Sequence, residues 1–358
     1  MQDILNALLS AADDALPASI ERIDARTLSP SEFSRRFVCA SLPVILIHAT
    51  DDWQCHTLWQ NEAGFFSGNT GDSCVTLAVT PDGRADASDI DIANGALRLP
   101  LELPLSLHDA VKILLREPKK SCGISYLSAQ NDVLRRDLPI LAAAARSSSS
   151  SSGVLDTFAS VLGPVEAVNI WASGVKESTS QWHRDHYDNF HTVISGKKIF
   201  KLLPPAGILQ LQKRYVTTRR WVHETSLCNG GSNGGGEAGL CGGVGGVGDA
   251  NVNVSQFPPC WHLKEAPEAL PPGLSQLPWV IANPKNVTDA NPFHITLLPG
   301  ETLFLPALWY HEVISCANEE GWLTIAVNTW FEAQAQGANV ASASFFEHMA
   351  LRNNSSSA

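Results

Sequence analysis

The spacing of apolar and polar residues is mostly helical before residue 147 and at the C-terminal end, and it is strand-like between these parts. In residues 1–16 the apolar side chains recur on one face, as in an amphipathic helix that packs on a protein body. The segments 106–117 and 339–352 are also predicted to be helical, and the alanine- and leucine-rich segment 134–146 predicts a helix or a helix-like turn.

Short apolar runs predict β-strands through the middle of the chain. They cover 124–127, 167–171, 190–194, 198–203, 294–298, 302–305 and 322–331. Two pairs of runs flank the turn sequences Ser195-Gly196-Lys197 and Pro299-Gly300-Glu301. Short strands separated by turns, without regular helices between them, indicate a β-sandwich or barrel rather than a parallel α/β sheet.

These patterns predict a mainly β fold with flanking helices, in the α+β class. Residues 1–120 are expected to form an N-terminal α/β region packed on the core, 121–335 the β core, and 336–358 a C-terminal helix with a polar tail. A serine run near 147–152 and a glycine-rich stretch near 229–250 cannot bury enough apolar surface to order themselves. We expect both to be mobile surface insertions.

Composition excludes some classes of function. The 358 residues carry a net charge of −11, which argues against a nucleic-acid-binding surface. No apolar run approaches the roughly 18 residues that a membrane span needs. The eight cysteines show no CxxC pairing, which favours reduced thiols in a cytoplasmic or nuclear protein.

The most suggestive chemistry is a His-x-Asp pair at His183 and Asp185. In a strand, side chains two residues apart project from the same face, so this imidazole and carboxylate can hold one ion together. A distant histidine would complete the two-histidine, one-carboxylate triad of non-haem Fe(II) oxygenases. A second pair, His186 and Asp188, overlaps the first, and the spacing alone does not choose between them.

Lys198 opens an apolar strand fifteen residues after His183. A lysine that enters a buried strand needs an anionic partner to offset its desolvation, and a carboxylate of 2-oxoglutarate would supply one. Alternatively, Lys198 or its neighbour Lys197 is an exposed charge of the hairpin turn.

The third ligand is expected to be His311, at the end of the aromatic-rich segment 300–311. His294, at the start of a strand beyond the Pro-Gly turn, is the second candidate. His262 and His191 also remain open, and any of the four could instead be a half-buried histidine with local hydrogen bonds.

Five ordered blocks, at 79–87, 167–171, 183–189, 305–309 and 326–328, resemble the jumonji-C (JmjC) oxygenases over roughly residues 20–335. Within that family the chain is similar to a small intracellular lysyl hydroxylase. The resemblance implies a double-stranded β-helix, which is a jelly-roll, cupin-like core.

The resemblance also implies a role for each site residue. His183, Asp185 and His311 would bind Fe(II), and Lys198 would pair with 2-oxoglutarate, helped by the hydroxyls of Tyr126 and Ser180. Asn189 and Asn328 would line the same pocket, and His186 and Asp188 would lie in its wall. The chain departs from the pattern at Ser180, where threonine is usual, and at Glu312, where the similar hydroxylase has histidine.

The implied reaction uses O₂ and 2-oxoglutarate to hydroxylate a protein side chain, namely a lysine of a GTP-binding protein. A lysine-bearing protein or peptide would suit acidic residues at the pocket mouth, for which Asp82, Asp86 and Asp188 are candidates. Demethylation of N-methyl-lysine or arginine and a non-catalytic cupin-like binding protein are the alternatives. No Ser-His-Asp or Cys-His pattern supports a peptidase, and a homodimer is one open oligomeric state.

Overall fold

The structure is a computed structural model. It describes residues 7, 9, 10, 14, 16–85, 87–88, 95–118, 122–147, 153–224, 260–281, 284–318, 321–333 and 337–355. The predicted N-terminal helix and the two predicted insertions lie outside these residues, apart from a few positions of the helix and Ser147.

Strands dominate the described residues. In chain order they are β1 (Arg22–Asp24), β2 (Val44–Ile47), β3 (Cys74–Thr80), β4 (Arg84–Ala85), β5 (Ala87–Ser88), β6 (Ala96–Leu99), β7 (Leu101–Ser106), β8 (Ile124–Ala129), β9 (Val165–Ser173), β10 (Ser178–Arg184), β11 (Tyr187–Ser195), β12 (Lys198–Leu203), β13 (Gln212–His223), β14 (Trp261–Glu265), β15 (Leu277–Ile281), β16 (Phe293–Leu297), β17 (Thr302–Leu305), β18 (Tyr310–Ser315) and β19 (Thr324–Glu332).

Helices flank the strands. They are α1 (Pro30–Phe33), α2 (Cys55–Leu58), α3 (Glu62–Phe65), α4 (Leu107–Leu114), α5 (Val133–Arg136), α6 (Pro139–Ala144), α7 (Val154–Ala159), α8 (Pro284–Asp289) and α9 (Gly337–Ser355). A π-helical segment covers Ser34–Val38, and 3₁₀ turns cover Ala25–Thr27, Ser67–Asp72, Pro205–Leu209 and Pro267–Ala269.

Two four-stranded layers form the core of the molecule. One layer has the order β17-β11-β19-β9, and the other has the order β16-β12-β18-β10. All pairings within these layers are antiparallel. Eight strands alternating between two sheets are a jelly roll. The predicted double-stranded β-helix with flanking helices is confirmed.

Strands from the N-terminal part of the chain extend the first layer at both edges. β2 pairs with β17 and with β1, and β8 pairs with β9 and leads on to β3 and β7. These added strands cover both edges of the jelly-roll layer and extend it to a nine-stranded sheet. The second layer gains only β4.

The largest apolar cluster lies on the outer face of the nine-stranded sheet, under the helices. Phe33 of α1 packs against Phe158, Phe190 and Phe304, with ring centroids 5.0–5.9 Å apart. Such aromatic packing stabilises the fold through burial and ring contacts. With its outer face occupied by the core, the sheet turns its inner face toward the opposite layer.

The hairpin predicted around Ser195-Gly196-Lys197 is wrong. β11 pairs with β17 and β19, whereas β12 pairs with β16 and β18, so the two strands lie in opposite layers. Gly196, whose φ of +70° suits glycine, turns the chain from one layer to the other. The segment 134–146, for which a helix or a helix-like turn was predicted, forms two short helices, α5 and α6. Because Pro139 has no N–H for the helical ladder, a new helix begins there.

Two further expectations can be compared with the structure. The six cysteines among the described residues are thiols rather than halves of a disulfide. In the same part of the chain, every helix is too short or too polar to cross a membrane.

Candidate metal centre

Two strands of the smaller sheet bring three metal-binding side chains together. His183 lies in β10, Asp185 follows that strand directly, and His311 lies in β18. His183 and His311 are partners across the two strands, and their ring centroids are 4.2 Å apart. One ligand atom from each of the three residues lies within 4.8 Å of the others. The structure thus unites the three residues that the sequence assigned to iron.

Both imidazoles are oriented by backbone carbonyl groups. Nδ1 of His183 is 2.6 Å from the carbonyl oxygen of Gln181, and Nδ1 of His311 is 3.1 Å from that of Trp309. An Nδ1–H that donates to a carbonyl fixes the tautomer, so that Nε2 presents its lone pair to a metal. This donor set of two imidazole nitrogens and one carboxylate fits a non-haem Fe(II) ion with open coordination positions.

Burial keeps the ligand His311 neutral. Its side chain is 5% exposed, and Nε2 lies 3.8 Å from the Asp185 carboxylate. Burial, and then the nearby His183, lower the pKa of His311 to about 4, although Asp185 opposes the shift. A histidine must be unprotonated to bind a metal, so this ligand is ready at neutral pH.

A cavity of about 800 Å³ extends from the three ligands to Lys198. On β12, Leu202 lies opposite His311 and Lys198 opposite Ser315. Four residues along a strand correspond to about 13 Å. The backbone of Lys198 therefore lies about 13 Å along the strand from the level of the metal-binding end. An extended lysine side chain and a small diacid can span this distance together.

Lys198 is a buried cation rather than an exposed turn charge. It is 3% exposed, and no carboxylate of the described residues forms an ion pair with it. Burial lowers the pKa of Lys198 to about 7. A bound anion would offset this desolvation and favour the protonated ammonium.

The remaining predicted site residues line the same cavity. Tyr126 lies on β8 and Ser180 on β10, so their hydroxyl groups come from opposite sheets. Asn328 on β19 donates from Nδ2 to Oδ1 of Asn189 at 3.2 Å and accepts from Nε1 of Trp171 at 2.7 Å. These two bonds fix the orientation of the Asn328 amide.

The second His-x-Asp pair does not line the cavity, so its predicted place in the pocket wall is wrong. His186 is exposed. Asp188 is buried and accepts a hydrogen bond from the backbone N–H of Ala307 at 2.9 Å. Burial raises the pKa of Asp188, although the Ala307 bond opposes the shift. Asp188 thus holds the loop before His311 in place.

The other candidate histidines are not part of this three-residue cluster. His294 is exposed on β16, and His262 on β14 is 3.7 Å from Glu224. His191 lines the cavity, but it stands on β11 in the opposite sheet. Glu312 points away from His311 and forms an ion pair with Lys201 at 2.5 Å. The absence of a second histidine at position 312 therefore leaves the ligand set unchanged.

Of the acidic residues predicted at the pocket mouth, Asp82 and Asp188 do not line the cavity. Asp82 accepts from the backbone N–H of Arg84 at 3.1 Å within its own turn, and Asp188 is used as described above. Asp86 lies outside the described residues. The carboxylates that do line the outer cavity are already paired, Asp137 with Arg136 at 2.8 Å and Glu102 with Arg220 at 3.0 Å.

Three tryptophans that the sequence did not reveal as site residues, Trp171, Trp279 and Trp330, line the cavity and form its aromatic wall. Trp330 stacks on Tyr187 with ring centroids 5.2 Å apart. A signal was available for Trp330, since it lies two residues after Asn328 on one strand and so shares its face. Trp279 follows the glycine-rich segment, and no pattern pointed to it.

Comparisons with known proteins agree with this architecture. The family model described as a cupin-like domain matches residues 30–337. The chain is 29% identical to lysine-specific demethylase JMJ32 of Arabidopsis thaliana, over 93% of this chain and 87% of that protein. It is 27% identical to the bifunctional peptidase and (3S)-lysyl hydroxylase JMJD7 of Homo sapiens, over 91% and 88%. JmjC domain-containing protein E of Dictyostelium discoideum is 25% identical over 92% and 89%.

Proposed function

The chain belongs to the cupin-like domain family of JmjC type, and from that premise we propose that it is an Fe(II)- and 2-oxoglutarate-dependent dioxygenase that hydroxylates a protein side chain, with lysine as the target. The observation that carries the proposal is the joint placement of His183, Asp185 and His311 at one end of a cavity and Lys198 at the other. A metal ion and a diacid are the ligands that these two ends suit.

The metal-binding residues do two things. Nε2 of each histidine and the carboxylate of Asp185 would hold Fe(II) on one side, so that the other side stays open to ligands. When bound, Fe(II) would couple O₂ activation and the oxidative decarboxylation of 2-oxoglutarate, to succinate and CO₂, to insertion of one oxygen atom into a C–H bond. The backbone carbonyls of Gln181 and Trp309 keep both rings aimed at the ion.

The cationic end of the cavity would hold the co-substrate. The ammonium group of Lys198 would pair with the distal carboxylate, and the hydroxyls of Tyr126 and Ser180 would assist it. Since Lys198 is 3% exposed, this ion pair would form away from water, where it is stronger than at the surface.

The aromatic wall supports a lysine side chain as the target. Aromatic faces attract an ammonium group and pack against its methylene stem. Trp171, Trp279 and Trp330 offer such faces in the cavity that contains the ligands. The paired charges at Arg136–Asp137 and Arg220–Glu102 leave the outer cavity polar, which suits a peptide backbone.

Demethylation of N-methyl-lysine is the second candidate, and two observations favour it. A relative from Arabidopsis thaliana carries the name of a lysine-specific demethylase. The same tryptophan faces would accept a methylated ammonium group. A non-catalytic binding protein would keep the cavity but consume no 2-oxoglutarate.

Mass spectrometry separates these functions. The protein is incubated with Fe(II), 2-oxoglutarate, O₂ and matched peptides that contain lysine or N-methyl-lysine, while succinate is measured. We expect succinate and the gain of one oxygen atom on the unmodified lysine, and neither with Asp185→Ala. Loss of a methyl group without hydroxylation would favour the demethylase. If a freshly Fe(II)-loaded sample forms no succinate with or without peptide, the protein is a binding module.

A further inference from the structure

His191 is a buried side chain with an unsatisfied polar atom. It lies on β11, is 5% exposed, and its Nε2 has no hydrogen-bond partner among the described residues. Buried polar atoms of native proteins nearly always have a partner, and an exception in a cavity points to a missing ligand or water. The metal-binding set described above does not use this residue.

The position of His191 places it at the cationic end of the cavity. Its ring packs edge-on against Phe200 of β12, with ring centroids 5.0 Å apart. Phe200 lies two residues after Lys198, so both side chains project from the same face of that strand. All three residues line the cavity. His191 therefore approaches the neighbourhood of Lys198 from the opposite sheet.

Together, the side chains of His191 and Lys198 carry a charge that suits one carboxylate. Burial, followed by Lys198 and His311, lowers the pKa of His191 well below its usual value, so the imidazole is neutral at physiological pH. A neutral imidazole carries one N–H donor and adds no charge. One ammonium group and one neutral donor match the single charge and the two acceptor oxygens of a carboxylate.

We propose that His191 is a second anion-binding residue of the cavity, whose Nε2–H donates to the same distal carboxylate that Lys198 neutralises. The proposal rests on the proposed function and adds His191 to the residues that would hold the co-substrate. It also gives His191 a role in specificity, because only a 2-oxo acid with a distal carboxylate gains this bond.

Calorimetric titration of the Mn(II)-loaded protein tests the proposal without turnover. The probes are 2-oxoglutarate and 2-oxobutanoate, which share the keto acid end but differ in the distal carboxylate. We expect His191→Phe to weaken 2-oxoglutarate binding about tenfold, the value of one net hydrogen bond, and to change 2-oxobutanoate binding by less than about twofold. His191→Gln, which keeps an N–H donor, should recover part of the loss.

A histidine outside the cavity provides the matched control. His56→Phe replaces another histidine of lowered pKa, bonded to Thr50 away from the cavity, and should leave both affinities unchanged. Wild-type affinity for 2-oxoglutarate in both His191 variants, or an equal loss for both probes, would overturn the role of His191 and leave the proposed function standing. If the wild-type protein binds Mn(II) but not 2-oxoglutarate, the proposed function fails and this inference fails with it.

Discussion

His183 and His311 face each other across β10 and β18, and each ring is tethered through Nδ1 to a carbonyl two residues earlier. The two tethers leave both Nε2 atoms directed into one space beside Asp185, where their ligand atoms lie within 4.8 Å of one another. The pairing is preceded by a register shift between Ser180 and His183. Such a bulge re-aims side chains at the end of a strand.

The first prediction concerns the third ligand. His311→Ala should weaken Mn(II) or Fe(II) binding by at least about 100-fold, because removal of a ligand costs more than loss of a group that only orients one. His294→Ala changes an exposed histidine on β16 and should bind metal like the wild type. Equilibrium dialysis measures both affinities. Equal losses in the two variants would mean that the ligand assignment is wrong.

The second prediction separates the two overlapping His-x-Asp pairs. Asp185→Asn should abolish tight metal binding, whereas Asp188→Asn should retain one metal ion per chain. In the Asp188→Asn variant the amide oxygen can still accept from the Ala307 N–H, and the side chain carries no charge to bury. Thermal unfolding at pH 7 should therefore show Asp188→Asn to be at least as stable as the wild type. If Asp188→Asn loses the metal ion and Asp185→Asn keeps it, the second His-x-Asp pair is the metal-binding one and the assignment is wrong.

The third prediction concerns the cationic end of the cavity. Lys198→Met keeps an apolar stem and loses the charge, so 2-oxoglutarate binding to the Mn(II)-loaded protein should weaken about 10- to 100-fold, as expected for a charged hydrogen bond. Lys197→Met changes the neighbouring turn residue and should bind like the wild type. The required 2-oxoglutarate concentration in turnover should rise in parallel. If only the Lys197 variant is impaired, the neighbouring lysine is the anion-binding residue.

The fourth prediction concerns the C-terminal helix and pH. Glu347 of α9 accepts hydrogen bonds from Lys213 and from the Tyr310 hydroxyl, at 2.7 Å for the latter, and lies 3.1 Å from Arg184. Burial raises its pKa, but Lys213, Tyr310 and Arg184 together lower the pKa below the ordinary 4.5. Its contribution to stability is therefore complete above pH 4.5 and is lost as the pH falls through the lowered pKa.

Glu347→Gln should accordingly lower the free energy of unfolding at pH 7 by about 2 kcal/mol, and the difference from the wild type should shrink in acid. Glu21→Gln, which breaks an exposed pair with Arg36, should cost about 0.5 kcal/mol or less. Urea denaturation at pH 7 and pH 3.5 measures both variants. A Glu347→Gln difference that stays constant between these pH values contradicts the assignment of the network.

Much of the fold could be predicted because local patterns carried it. The strands β11 and β12 have strand-like apolar runs on both sides of a glycine turn, so both strands could be predicted. Their placement in opposite layers could not, because a turn sequence does not show whether the chain returns along the same sheet or crosses to the other one. Over 134–146 alanine and leucine favour a helix throughout, so their pattern indicates helical structure but does not show that a second helix begins at Pro139.

The candidate site was only partly predictable, since its chemistry depends on contacts between sheets. The spacing of His183 and Asp185 marks a common strand face, but the same spacing recurs at His186 and Asp188. Only the fold shows that Asp188 bonds Ala307 and that His186 is exposed. The meeting of His191 with Phe200 joins strands of opposite layers, and no local pattern encodes such a contact.

The most direct test of the central claim is a crystal structure of the protein grown without oxygen in the presence of Fe(II) and 2-oxoglutarate, with the anomalous scattering of iron recorded. One peak is expected between Nε2 of His183, Nε2 of His311 and the carboxylate of Asp185, with the diacid extending from the metal to Lys198. An iron peak bound by other side chains, or a diacid that lies away from Lys198, would contradict the account.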